Sequence, residues 1–222
     1  MTEINYEPTT PTEIIFNNEN SFSFIQDLTL GVERLPADGK SGILLFGTFG
    51  TGKTTLARLL PESIEQGQTG MGLVMPEEFI ACQQGLNGVQ VTTLIQKQLN
   101  TTSLNKSGLH YFILDEIDNL TKSAQQSLKS VMNTKRAIFI LTTNNLSVLD
   151  RGMKDRCVLV EMNGGDVNQL LPIARRVAAD LNVFLNDTQL TAEINASNGS
   201  MRELLSRVKR LARRTSKVAT TE

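Results

Sequence analysis

Gly47-Thr48-Phe49-Gly50-Thr51-Gly52-Lys53-Thr54 packs three glycines, a lysine and a terminal hydroxyl into eight residues, with the G-x-x-x-x-G-K-S/T spacing of a loop that wraps phosphate. Glycine lets the backbone curl with its N–H groups turned inward, where a larger side chain would block an anion. Lys53 supplies a mobile ammonium to outer phosphates, and the Thr54 hydroxyl is placed to ligate Mg2+. Chance would produce the pattern in roughly one chain of this length in a hundred at average composition. The expected ligands are therefore a nucleotide and Mg2+, with Thr55 continuing the contact into the following helix.

A second set of chemistry-bearing residues closes the apolar run Tyr111-Phe112-Ile113-Leu114 with Asp115-Glu116-Ile117-Asp118. Two adjacent carboxylates need a cation or a proton to coexist. Mg2+ meets that need, with Asp115 as the metal-side carboxylate and Glu116 as the base that orients and activates an attacking water. Capping of a helix over 121–132 by Asp115 or Asp118 is the structural alternative, although a cap uses one side chain. A third run, Ala137-Ile138-Phe139-Ile140-Leu141, ends in Thr142-Thr143-Asn144-Asn145. Asn144 there can hydrogen-bond a terminal phosphate or the lytic water.

The elements that must hold these groups follow from periodicity. Ile43-Leu44-Leu45-Phe46 before the loop reads as a strand and 55–60 after it as a helix; a further strand falls near 79–82. Helices are expected at 22–35 with a turn at Gly31, and at 89–99, 121–132 and 166–182. The glycine-rich stretch 67–72 is expected to be a mobile connection. In an open parallel sheet the carboxyl ends of strands line the ligand crevice, which suits all three polar endings. Gly164-Gly165 marks the strongest internal boundary, dividing an α/β domain (1–163) from a purely helical one (164–222).

Composition narrows the remaining classes. With 222 residues, 40% hydrophobic and 20% charged, the chain can bury a core and is not disordered. No apolar run approaches bilayer length and no secretory signal is visible at the amino terminus, so a cytoplasmic protein is expected. Cys82 and Cys157 stand far apart without ligand spacing. His110 opens a strand with no metal partners near it. Charge is uneven: residues 1–150 hold 10 basic and 15 acidic side chains, residues 151–222 hold 12 and 8. Arg202, Arg207, Lys209, Arg210, Arg213, Arg214 and Lys217 share one amphipathic helix with Glu203. Its basic face reads either as solvated or as a nucleic-acid contact, without aromatics for base stacking.

Together these residues resemble the AAA+ ATPases, and within them the clamp-loader small subunits of the replication-factor-C type, over nearly the whole chain. Tyr6-Glu7-Pro8 through Ile15 looks like the family's amino-terminal arm, which implies Tyr6 and Pro8 beside the adenine. Leu114 through Thr121, followed by Ala124-Gln125-Gln126-Ser127-Leu128, looks like its Walker B segment. Leu141-Thr142-Thr143-Asn144 resembles sensor 1, implying Asn144 as the sensing residue. Asp155-Arg156-Cys157 is similar to a Ser-Arg-Cys motif, implying that Arg156 is an arginine finger offered to a neighbouring subunit. Gly199-Ser200-Met201-Arg202 is similar to sensor 2, implying that Arg202 reaches the phosphates from a helical lid. Asp155 replaces the usual serine, Thr48-Phe49 the usual Pro-Pro, and Cys82-Gln83-Gln84 lacks the usual Asn-Ala-Ser, leaving the switch residue unassigned.

The resemblance implies a P-loop parallel sheet flanked by helices with a small helical lid, and a chain that stops before the collar found in relatives. It also implies a homo- or hetero-oligomer hydrolysing ATP at its interfaces to assemble or remodel a DNA-replication complex, loading a clamp or helicase in a phage or plasmid system. DNA is the expected partner and a membrane is not. The alternatives are a nucleotide-dependent structural protein with little hydrolysis, and a remodeller of proteins that does not touch DNA.

Overall fold

Each long apolar run has both of its faces covered, which is why it reads as continuous rather than alternating. The computed structural model describes residues 6–83 and 88–219, with side chains through Ser216; Gln84 and the Lys217 side chain lie outside the described residues. Chain order is α1 (Glu19–Thr29), β1 (Gly42–Phe46), α2 (Lys53–Thr69), β2 (Glu78–Ala81), α3 (Gly88–Leu99), β3 (His110–Asp115), α4 (Lys122–Val131), β4 (Ala137–Thr143), α5 (Arg151–Asp155), β5 (Cys157–Glu161), α6 (Val167–Asp180), α7 (Asp187–Ala196) and α8 (Met201–Ala219). The strands form a five-stranded sheet in the order β2-β3-β4-β1-β5, and every described pairing is parallel.

The period of two sorts the strands' side chains into two cores. Ile43, Leu45, Tyr111, Ile113, Ile138 and Ile140 meet Ile25 and Leu28 of α1 and Leu56, Leu60 and Ile64 of α2. Leu44, Phe112, Leu114, Phe139 and Leu141 meet Val91, Ile95 and Leu128 on α3 and α4. A third apolar cluster joins α6, α7 and α8 through Leu170, Ala174, Leu190, Ile194, Leu204 and Val208. Asp166 and Asn186 cap α6 and α7 in reciprocal boxes with Gln169 and Gln189. The α/β architecture expected from sequence is present.

Two expectations need correction. Residues 67–69 are not a loop, because α2 continues through Thr69 and closes only at the left-handed Gly70. Gly67 is helical because α1's end lies against it: a Cβ there would collide with the Thr29 carbonyl, and one on Gly31 with the Gly67 carbonyl. The first helix likewise begins earlier and ends sooner than 22–35, with Asn18 accepting from Ser21 N as its cap. The structure also adds β5, a short edge strand beside β1 on which Leu159 is exposed.

Candidate nucleotide site

The phosphate loop leaves the carboxyl end of β1, which lies between β4 and β5 in the sheet. Gly47, Gly50 and Gly52 have φ of 148°, 73° and 91°, so backbone geometry as well as access favours glycine. Lys53 opens α2, directing the unpaired amides of that first turn into the loop. Its side chain is buried and its Nζ donates to the carbonyls of Gly47, at 3.1 Å, and Thr48. Burial pushes the ammonium below the ordinary lysine pKa, and nearby Arg202 pushes the same way; the charges of Asp118, Asp115 and Glu116 oppose them. Thr48 N donates to Asn163 Oδ1 at 3.3 Å, Thr51 Oγ1 to Thr48 O at 3.1 Å, and Phe49 is 71% exposed. Thr55 is half-buried in the first turn of α2.

Sheet register supplies the acids. Leu114 and Leu141 pair across β3 and β4, and Leu45 pairs with Thr142 across β1 and β4, so Asp115, Thr142 and the start of the loop converge. Thr54 Oγ1 donates to Asp115 Oδ1 at 2.8 Å, and Thr142 Oγ1 donates to the same oxygen at 2.7 Å. The Glu116 amide in turn donates to Thr142 Oγ1 at 2.9 Å. Two neighbouring oxygens on octahedral Mg2+, each at about 2.1 Å, stand about 3 Å apart. The Thr54–Asp115 pair fits that spacing and hard-donor chemistry. Among the described residues no group of three or more His, Cys, Asp or Glu forms a metal cage, so the ion would draw its other ligands from phosphate and water.

Glu116 is exposed and adopts φ 57°, ψ 51°. A left-handed non-glycine costs about 1–2 kcal/mol, and such strain concentrates at functional sites. Thr142 holds its amide; Asn119 Nδ2 donates to its Oε2 at 3.3 Å and to the Cys82 carbonyl at 3.0 Å. The capping alternative fails, because Thr121 caps α4 and Asp118 instead accepts from Thr143 Oγ1 at 2.9 Å. Asn144 follows directly, half-buried, with the Phe46–Thr143 pairing setting it level with Gly47.

The α6–α8 cluster reaches the loop from above. Arg202 N donates to Gly50 O at 3.3 Å, and a Cβ on Gly50 would collide with Ser200 Oγ. Gly164 lies so close to Gly199 that a side chain there would meet its backbone. Tyr6 joins the apolar cluster of α6–α8, with Lys209 Nζ 5.2 Å from its ring centroid, while Ile14 lies beside Gly52. The arm carrying half-buried Pro8 therefore links this cluster to the loop. Arg156 is not gathered here. Its carbonyl accepts from Ser41 and Gly42 at the amino end of β1, and its guanidinium donates to Asn133 Oδ1 and Gly152 O, each at 2.7 Å.

His110 is buried, with Nε2 3.2 Å from Thr101 O, a hydrogen-bonded strand position. Burial pushes the Cys82 and Cys157 thiols up to about 12, which suits neither nucleophile nor ligand. Thr142 and Asn119 are the contributors that sequence reasoning missed. Their signal was polarity at a strand end and one turn past the acids, where turn-forming residues are common anyway.

The family profile described as "ATPase family associated with various cellular activities (AAA)" matches residues 43–163. The chain belongs to this family. Among curated relatives, this AAA protein is 28% identical over 191 residues to replication factor C small subunit 2 of Pyrobaculum islandicum, covering 83% of this chain and 58% of that one. It is 27% identical over 202 residues to replication factor C subunit 5 of Mus musculus, covering 90% and 57%. It thus spans under two thirds of the length of these relatives. Its backbone also matches the Thermotoga maritima RuvB Holliday junction branch migration motor, with a TM-score of 0.71, 20% identity and coverage of 96% and 67%, a likeness of fold. No described helix is long and apolar enough to cross a membrane.

Proposed function

We propose that this AAA protein binds and hydrolyses ATP to drive assembly or remodelling of a DNA-replication complex, as a member of a homo- or hetero-oligomer of the replication-factor-C kind. The observation that carries the nucleotide reading is the 2.8 Å contact between Thr54 and Asp115, which joins the phosphate loop to the acidic strand in front of Lys53. The loop amides and Lys53 hold the β- and γ-phosphates. Mg2+, held by Thr54 with Asp115 beside it, would neutralise charge on those phosphate oxygens. Glu116 accepts a proton from water as its oxygen attacks the γ-phosphorus, and the bond to the leaving ADP oxygen breaks. Asn144 positions that water, while Arg202 counters phosphate charge from a lid comprising residues 164–222. Tyr6 and Pro8 border the adenine. The relatives' names support the replication role; DNA as a partner and a clamp or helicase as client belong to the same proposal.

Calorimetry tests the site. Wild-type protein should take up ATP only with Mg2+, Lys53→Ala should lose most of that uptake, and Glu116→Gln should retain it while phosphate release falls about 10²-fold or more. Equal uptake by Lys53→Ala would refute the site, and normal turnover by Glu116→Gln would refute the base.

A further inference from the structure

Helix α8 turns two faces in different directions. Leu204, Val208 and Ala212 are buried against α6 and α7. Ser206, Arg210, Arg213 and Arg214 face outward and line an open groove of about 350 Å³. Of the helix's other described cations, Arg207 pairs with Glu193 at 2.8 Å and Glu203 at 3.4 Å, Lys209 sits over Tyr6, and Arg202 lies at the phosphate loop, where its N donates to Gly50 O. Among the described residues no ion pair joins Arg210, Arg213 or Arg214 to a carboxylate. Three like charges held side by side repel, so the groove favours an anion.

We infer that this groove is the docking surface for the phosphate backbone of duplex DNA, an assignment resting on the reading that DNA is a partner. Ser206 to Arg214 spans about 12 Å along the helix, and duplex DNA presents a charge every ~1.7 Å of its axis. A polyanion of that density can engage all three guanidiniums at once. Arginine rather than lysine suits bidentate phosphate contact. No aromatic residue stands between Met201 and Ala219 to stack on a base, so the contact reads the backbone and is independent of sequence.

The test is fluorescence anisotropy of a labelled 30-base-pair duplex with full-length protein and Mg-ATP, from 50 to 200 mM salt. The variants are the triple Arg210→Gln, Arg213→Gln, Arg214→Gln and a control of equal charge loss, Lys97→Gln, Lys106→Gln, Lys135→Gln. The arginine triple should weaken binding about tenfold or more and flatten the log–log salt slope by about 3, with ATP turnover without DNA unchanged and the lysine control close to wild type. Wild-type affinity in the arginine triple would overturn this site alone, leaving DNA to bind elsewhere. Equal loss in the control would reduce the effect to net charge. A change in self-association by light scattering with DNA affinity intact would make the stripe a subunit contact instead. Absence of salt-dependent DNA binding by wild-type protein would overturn both this site and the DNA reading.

Discussion

Thr142 bridges two groups of the site: one hydroxyl donates to Asp115 and accepts the amide of strained Glu116. Valine keeps the branching and removes both bonds, leaving the Glu116 amide unpaired at a cost of about 1–3 kcal/mol. Thr142→Val should therefore lower kcat about tenfold or more, as that energy implies, while the Kd for ATP, set by the phosphate loop, changes little. Single-turnover kinetics beside calorimetry separates the two; equal kcat in the variant would mean that Glu116 is positioned without this hydroxyl. Lys53, Thr54, Asp115 and Glu116 were legible one by one because their types and spacing are demanded by the chemistry. Thr142 was not, since its role depends on which strand lies beside β3.

Between α1 and α2 the deciding residue is a glycine whose helix propensity argues against its position. In an exposed helix Gly→Ala stabilises by about 1 kcal/mol. At Gly67 the added Cβ would collide with the Thr29 carbonyl, so Gly67→Ala should instead lower the thermal midpoint, by about 2 °C or more per kcal/mol lost. A raised midpoint by calorimetry would show that propensity outweighs packing there. The same close approach explains why the sequence misplaces the end of α2: a run of glycines reads as a turn unless the neighbouring backbone is known. β5 carries an apolar run, Cys157-Val158-Leu159-Val160, as long as that of β1, but a run of four apolar residues does not by itself distinguish a strand from a helix.

For the molecule as a whole, the most informative distance is the length of β1. The phosphate loop leaves its carboxyl end and Arg156 sits beside its amino end, about 16 Å away at 3.3 Å per residue. An arginine finger from Arg156 can therefore serve only another chain's phosphate. Arg156→Ala should bind ATP normally and hydrolyse it slowly, and mixing it with Lys53→Ala should restore turnover, because each mutant supplies what the other lacks. Lack of recovery at any mixing ratio, measured by steady-state phosphate release, would count against a finger in trans. The sequence by itself determined the nucleotide chemistry, the parallel α/β class and the basic amphipathic helix, because phosphate binding and burial each demand particular residues at short, local spacings. Only the tertiary structure decided that Thr142 ties the two acids together, that Arg156 lies at the far end of β1 from its own loop, and that Arg210, Arg213 and Arg214 pair with no carboxylate among the described residues. Those outcomes depend on strand order and helix packing, long-range contacts that no local pattern encodes.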